Sequence, residues 1–592
     1  MIMAFVYAQG TTPTPTPAPR WSPADPYFPS QPQATIIAAT GVIVAAIITF
    51  LIAYLARRQG ERHFQHSGRK DRYTTAAEQL SHTSAAVRLA GVHTLEALTD
   101  EWLAIPLLTF PKRRRRDRAE AQACLNVLCA YLRLPFDPIA RDPAQTKKVI
   151  TYRAPDNAEI EHHFEYRHHD DAVRDTISRI IGAHVTGKTL GRSWSRLDFD
   201  LSDAYLPNLR CRDPAFDGFV SFARAQFPTS ISFSGTRFAN DTIFDDAVFH
   251  GAADISRCMF GGNTSSFTRA RFTGPAEFVD CLFLSDVCSF AQTRFSGDTC
   301  RFEGSRFPWG ADFSGAIIRG SAFFEFCTFR GMNTNFDGVE FHRGCSFEQA
   351  KFFSEVTSFA GMTLSAADSD DSYTSFQGVR CDSVILSFSD THFGQPSDFD
   401  RAVFSSNSIE FHGAIFESEA NFKKVVFIGS RTYFDLAEFR RGVDYSDAEF
   451  RSRLKTQFNG VTFAGATSFS RALFDSPTLF ASVHFMAPSI TYKGAQFRKE
   501  VAFVHPAAWC NVEVDWDVPV PYVPHGQQPS TVTPTEWPPT SVVTEDETTL
   551  EEVTIDEHAM AREFFHRDRR REFMRTLARL KRFMQRRMRR WW

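Results

Sequence analysis

The chain has eleven cysteines but no Cys-x-x-Cys pair, so neither a zinc site nor a dithiol redox motif is expected. It has no glycine-rich phosphate loop and no nucleophile–base spacing that a known catalytic motif would require. No catalytic residue, metal or cofactor is therefore expected. An excess of charge of one sign is also lacking, since the formal net charge is −3. Lysine is scarce, with 12 against 54 arginines, which points to a GC-rich bacterial source. One stretch has no charge at all: residues 34–56, "ATIIAATGVIVAAIITFLIAYLA".

Those 23 uncharged positions would span about 34 Å as a helix, against a hydrocarbon core of about 30 Å. A transmembrane helix is the expected reading. Only Arg20 and Asp25 precede it, whereas Arg57, Arg58, Arg62, Arg69 and Lys70 follow. The positive-inside rule then puts the bulk of the chain in the cytoplasm. The Pro/Thr-rich tail 1–33 would lie outside. The expected localisation is the cell membrane, as a single-pass protein.

Residues 57–195 form the next region, and 72–195 read mainly as amphipathic helices. Leu89, Val92, Leu95, Leu98 and Trp102 recur every three or four positions, as do Val173, Ile177 and Ile180. The run "PKRRRRDR" (111–118) reads as an interruption, either a solvated loop or a contact for anionic lipid. "HHFEYRHHDD" (162–171) holds ligand types suited to a metal, but at no recognisable spacing, and a polar loop is expected.

What the chain has in abundance is phenylalanine. There are sixty, crowded between 199 and 503. They come as pairs five apart that restart every 11 or 12 residues: Phe222/Phe227, Phe233/Phe238, Phe302/Phe307, Phe399/Phe404 and Phe469/Phe474. Phe313 and Ile318 continue the run in "TCRFEGSRFPWGADFSGAII". Such spacing fits neither a helix nor a simple strand. Two residues before each Phe there is usually something small: Ala, Ser, Thr or, at 258, 281, 288, 300, 327 and 345, Cys; Val220, Ile231 and Ile409 are apolar exceptions. Residues i and i−2 of an extended segment share a face. One large and one small side chain therefore point inward before each corner, and stacked coils would lay Phe over Phe. The cysteines are expected to be packing thiols, suited to a reducing compartment.

With "ADFSG" at 311–315, "DLSDAYL" at 200–206 and "DFDRAVF" at 398–404, the stretch 196–505 resembles the pentapeptide-repeat proteins. The resemblance implies a mainly β fold, a right-handed quadrilateral parallel β-helix. Two pairs per coil would give 22–24 residues per coil, about 12 coils and a rod about 58 Å long. Corner geometry stays open, because extra residues follow nearly every second unit. A projecting loop is expected between Phe359 and Phe376.

After 505 the chain reads as a Pro-rich linker to 550, then as a basic amphipathic helix over 551–592. Residues 562–592 hold 13 Arg or Lys against three acids. "RRMRRWW" closes it, with Arg586, Arg587, Arg589, Arg590, Trp591 and Trp592 the candidate lipid contacts. Nucleic acid and a partner-protein groove are the other acceptors of such a segment.

The expected function is a non-enzymatic, membrane-tethered scaffold whose rod binds an unknown cytoplasmic or membrane protein. The resemblance also implies an alternative, a DNA mimic that binds DNA gyrase. Residues 196–510 carry 37 acids and 29 bases, a mild excess for such mimicry. Nucleic acid is not an expected partner. A carbohydrate-active or ligand-binding β-helix is the third reading.

Overall fold

The computed structural model describes residues 68–104, 111–136, 147–153, 159–165, 169–185, 193–211, 214–365, 373–516 and 527–540. The tail 1–33, the uncharged segment 34–56, positions 366–372 of the expected loop and the basic segment 551–592 lie outside the described residues. Among the described residues, no helix is long and apolar enough to cross a membrane.

From Val220 the chain advances in coils of four short strands. Phe222, Phe227, Phe233 and Phe238 each begin or continue an inward column. Val220 then pairs in parallel with Thr242, Gln226 with Val248, Ile231 with Ala253 and Arg237 with Met259. We name the faces 1 to 4 after these four phenylalanines in that order. Faces 2 and 3 are 13-stranded parallel sheets, and a 23-stranded sheet covers faces 4 and 1 with the corner between them. The rod therefore has about thirteen turns, one more than the phenylalanine pairs predict, and is about 60 Å long at the usual strand spacing.

The stacking follows from the register. Phe249 lies 4.5 Å from Phe272, Phe260 lies 4.8 Å from Phe283 and Phe267 lies 4.9 Å from Phe290, all nearly parallel. Different columns meet edge to face, as Phe302 of face 3 and Phe313 of face 1 do across the core at 5.3 Å. Both arrangements suit the aromatic quadrupole, and each buried Phe contributes about 1.5–3 kcal/mol from area alone. Near the far end of face 3, Tyr445 and Tyr492 stand in for Phe, and both hydroxyls are buried without a hydrogen-bond partner among the described residues. Tyr445→Phe is expected to raise the thermal midpoint, worth about 1 kcal/mol, because it removes an unsatisfied hydroxyl and keeps the ring. Calorimetry of the two chains checks this.

The small inward positions are more than gaps. Thr293 Oγ1 donates to the Phe267 carbonyl at 2.8 Å, and Thr391 Oγ1 to that of Phe359 at 2.8 Å. Cys258, Cys281 and Cys327 donate to carbonyls in the same way at 3.0–3.1 Å. The thiols are free and, apart from Cys211 and Cys510, buried. Burial pushes Cys345 up to about 12, so the inward thiols are unreactive packing groups. At the corner between faces 4 and 1, inward serines bond to threonines of the preceding coil, Ser354 to Thr334 at 2.6 Å and Ser452 to Thr432 at 2.7 Å. There one continuous strand, such as Lys351–Ser358 or Val426–Tyr433, carries the chain around the bend.

Helices close the first end of the rod. They are α1 over 68–81, α2 (Ala85–Leu103), α3 (Pro111–Arg133) and α4 (Asp170–His184). The basic run 111–118 is expected to interrupt the helices. Instead it is the first two turns of α3, because Pro is favoured at a helix's first position and Arg is a good helix former. Arg115, Arg116 and Arg118 are exposed on it. Nor is 72–195 helical throughout. Strands β1 (Lys147–Arg153) and β2 (Glu159–Glu165) form an antiparallel hairpin. The histidine-rich stretch, expected as a polar loop, therefore begins inside β2, where Ile160, His162 and Phe164 alternate with polar neighbours at the period of a strand. It ends in the first turn of α4.

Buried Arg174 ties this region together by donating to Asp170 and to the Leu132 and Leu134 carbonyls. Gln122 of α3 exchanges two hydrogen bonds with the Asp198 backbone, which leads into the first coil. His184 stacks on Trp194 at 4.4 Å, while Trp194 Nε1 donates to Asp100 at 2.8 Å. Burial works against charging His184, but Asp100, the Ile180 carbonyl and Glu96 outweigh it and hold its pKa above the usual value. The stability this pair adds is present below about pH 6.5 and is lost as pH rises through the raised pKa. Amide exchange in α4, corrected for intrinsic rate, is expected to be slower at pH 6 than at pH 8, and His184→Gln should abolish the difference.

The other end is closed by the segment expected to be linker. Ala508–Trp509 and Val512–Glu513 extend faces 2 and 3, and Val532–Thr533 pairs on Val501–Ala502. Trp537 packs against Phe503, Trp509 and Trp516 at 5.3–5.7 Å. Proline sits between these short strands, where a turn needs no ladder donor, so a Pro-rich composition does not preclude them.

Candidate interaction surface

The inward phenylalanines offer no surface chemistry. Phe222, Phe227, Phe233, Phe238, Phe302, Phe307, Phe313, Phe399, Phe404, Phe469 and Phe474 are all buried. The terminal cluster Arg586, Arg587, Arg589, Arg590, Trp591 and Trp592 lies outside the described residues. Among the described residues, no group of His, Cys, Asp and Glu comes together as a metal site. What the rod offers is therefore the pair of outward positions on either side of each inward centre, and the corners.

These outward positions are sorted by face. On face 1, from Phe222 to Phe503, they hold five acids and neither Lys nor Arg. The acids are Asp245, Asp312, Asp337, Glu410 and Asp435, set among serines and threonines. On face 3, from Phe233 to Val514, they hold ten acids and three bases. Faces 2 and 4 together, the latter counted from Phe216, hold eleven bases and seven acids. Faces 1 and 3 are opposite sides of the rod, so two acidic sides alternate with two more basic ones. The sequence taken linearly looks interspersed because a residue returns to the same face only every 22–24 positions. A charge count at that period is the signal that could have found the sorting.

The corners after faces 1 and 3 are built alike. Ala225 N donates to the Phe222 carbonyl at 3.0 Å, and Arg224 between them has φ +58°. Positive φ at the third residue of such a turn normally calls for Gly or Asn. Here Asp203, Arg224, Asp246, Arg269 and Gln292 hold it in five successive coils. Their side chains then stand directly above one another. Arg224 is bidentate to Asp203 at 2.6 and 2.7 Å, and Arg269 to Asp246 at 2.9 and 2.8 Å. Arg471 repeats the arrangement with Asp447 on the other corner, at 2.7 Å. The Arg269 guanidinium holds the Asp246 carboxyl below the usual carboxylate range, and Arg224 does the same to Asp203. These exposed pairs fix the corner geometry, and solvent screening leaves them little weight in stability.

Comparison with known proteins bears on the centre of the rod. Residues 267–317 match the family model of pentapeptide repeats (9 copies). That stretch is built of pentapeptide repeats, and the rod that contains it is a parallel β-solenoid. No curated protein and no solved structure matches the chain. The matched stretch of the solenoid covers the coils in which Phe over Phe and small over small recur with the fewest exceptions, from Phe267 to Ile317.

Proposed function

We propose that this solenoid is a non-enzymatic scaffold that presents its flat faces to a protein partner. It is tethered to the cell membrane by residues 34–56, with residues 1–33 outside and the rod in the cytoplasm. The observation that carries the reading is the sorting of outward charge, with acids and hydroxyls on faces 1 and 3 and most bases on faces 2 and 4. Such faces give a partner a side to choose and an orientation, which is what electrostatic complementarity contributes to recognition. Both ends of the rod are closed, so partners meet its sides. The basic segment 551–592 completes the assembly by meeting anionic lipid. Binding of a 562–592 peptide to anionic but not neutral vesicles at moderate salt tests that part, and equal binding to both contradicts it.

The acidic faces are also what a DNA-mimicking, gyrase-binding reading would use. Charge density argues against it. Face 1 has five acids over about thirteen turns, roughly one per 12 Å at the usual strand spacing, whereas duplex DNA carries one charge per about 1.7 Å. In-cell crosslinking from outward Ser314 on face 1, compared with Ser405 on face 4, separates the readings. One or a few membrane or envelope proteins captured from one face only supports the scaffold. Gyrase subunits captured from Ser314, or equal capture from both faces, contradicts it.

A further inference from the structure

The corner between faces 1 and 2 changes character along the rod. Its left-handed position is Arg269, then Gln292, then Gly315, Gly338 and Gly361 in successive coils. The side chains thus shorten and disappear. A Cβ added at Gly315 would meet only Gln292 Cγ, at 3.7 Å, and one at Gly338 or Gly361 would meet nothing within 4 Å. Beside this step, on face 2, Arg271 and Arg294 pair in parallel register, with Ile317 next in line. Together these residues enclose a half-open notch of about 380 Å³.

The charge inside the notch is unbalanced. Its one acid, Asp246, is taken up by both nitrogens of the Arg269 fork. Among the described residues, the exposed side chains of Arg271 and Arg294 make no hydrogen bond or ion pair, although the Arg271 charge also acts on Asp246. They stand one above the other at the strand spacing of about 4.8 Å, and like charges directly opposite in a sheet repel. An anion between them removes that repulsion. Two guanidinium groups carried on adjacent strands can each offer a fork of N–H groups to the oxygens of one phosphate. Gln292 adds an amide at the rim, and Ile317 an apolar wall for the organic part of a ligand. The volume lies at the small end of ligand sites.

We propose that this notch binds a small phosphate-bearing ligand, a phosphate monoester or diphosphate, clamped by Arg271 and Arg294 against the wall formed by Arg269 and Asp246. The site goes beyond the scaffold reading, which requires no small ligand.

Full-length protein is titrated with inorganic pyrophosphate at constant ionic strength. Arginine-selective modification by phenylglyoxal, read by mass spectrometry, locates the binding. Arg319 serves as reference, being exposed on the same face and outside the notch. Pyrophosphate is expected to protect Arg271 and Arg294 but not Arg319. Arg271→Gln and Arg294→Gln should each weaken binding about tenfold, and the pair about a hundredfold, as for lost charge-assisted hydrogen bonds. Circular dichroism of the variants, expected to match the parent, separates lost binding from lost folding. Uniform protection of all exposed arginines, or unchanged affinity in Arg294→Gln, would overturn the proposal. Glycerol 3-phosphate and phosphatidylglycerol vesicles distinguish the sources. Protection by the first assigns a soluble ligand, and protection by vesicles alone assigns a lipid headgroup to the same clamp. Protection by neither, with pyrophosphate also inactive, overturns the site.

Discussion

Phe313→Asp is expected to open the middle of the rod while leaving its ends folded. Phe313 is 1 % exposed. It lies 4.9 Å above Phe290 and 4.8 Å below Phe336, and it meets Phe302 and Phe324 edge-on at 5.3 and 5.4 Å. Removing such a ring alone costs about 3–5 kcal/mol. The carboxyl that replaces it has no donor in an interior of rings and methyl groups, so it is protonated on burial or drives the coil open. A total above about 5 kcal/mol is expected near pH 7, falling as the pH approaches that of a free carboxyl. Because each coil contacts only its neighbours, the loss stays local. The unfolding scan should split into two transitions, and proteolysis should cut between about 300 and 325. Ser314→Asp, one residue away and outward, should leave both measurements unchanged. An unaltered scan for Phe313→Asp would contradict the stacked core.

Much of the coil was legible in the sequence, and the reason is its repetition. A large residue at i, a small one at i−2 and a restart every 11 or 12 residues can be satisfied only by a chain that turns a corner and stacks. Registers of 22 or 23 residues, as in Phe227 over Phe249 and Phe249 over Phe272, follow from that spacing. The corners were not legible to the same degree. Left-handed Arg224 or Arg269 leaves no glycine to betray it, since the stacked Asp–Arg pairs replace glycine's freedom with side-chain contacts. The closing segment was misleading for the opposite reason. Its prolines resemble a linker, yet Trp509, Trp516 and Trp537 come together only in three dimensions. The β1–β2 hairpin was hidden because β2 has just two apolar residues, Ile160 and Phe164, on either side of an adjacent pair of histidines. The notch between faces 1 and 2 was invisible in the chain, since Arg271, Arg294 and Gly315 become neighbours only through the 23-residue register.

Two glycines of the same rod are expected to respond unequally to the same substitution. At the corner between faces 2 and 3, Gly274, Gly297 and Gly320 lie over one another. A Cβ at Gly297 would sit 2.2 Å from the Gly274 carbonyl oxygen, and one at Gly320 would sit 2.2 Å from that of Gly297. The obstacle is backbone, which cannot rotate aside. Gly297→Ala must therefore spread two coils, and a loss of about 2–4 kcal/mol is expected, at or beyond the upper range for overpacking. Gly338 lies on the other kind of corner, at φ +62° with open space around it. Only the left-handed backbone opposes a side chain there, and Gly338→Ala should cost about 1–2 kcal/mol. The same column already accepts Arg269, Gln292 and Asp390 in that conformation. Paired thermal scans of the two variants measure the difference. If Gly338→Ala proved the more damaging, backbone conformation rather than the approach of neighbouring coils would govern the corners. A larger loss for Gly297→Ala would mean that the rod is held at this edge by backbone stacked on backbone, a contact that no side chain can replace.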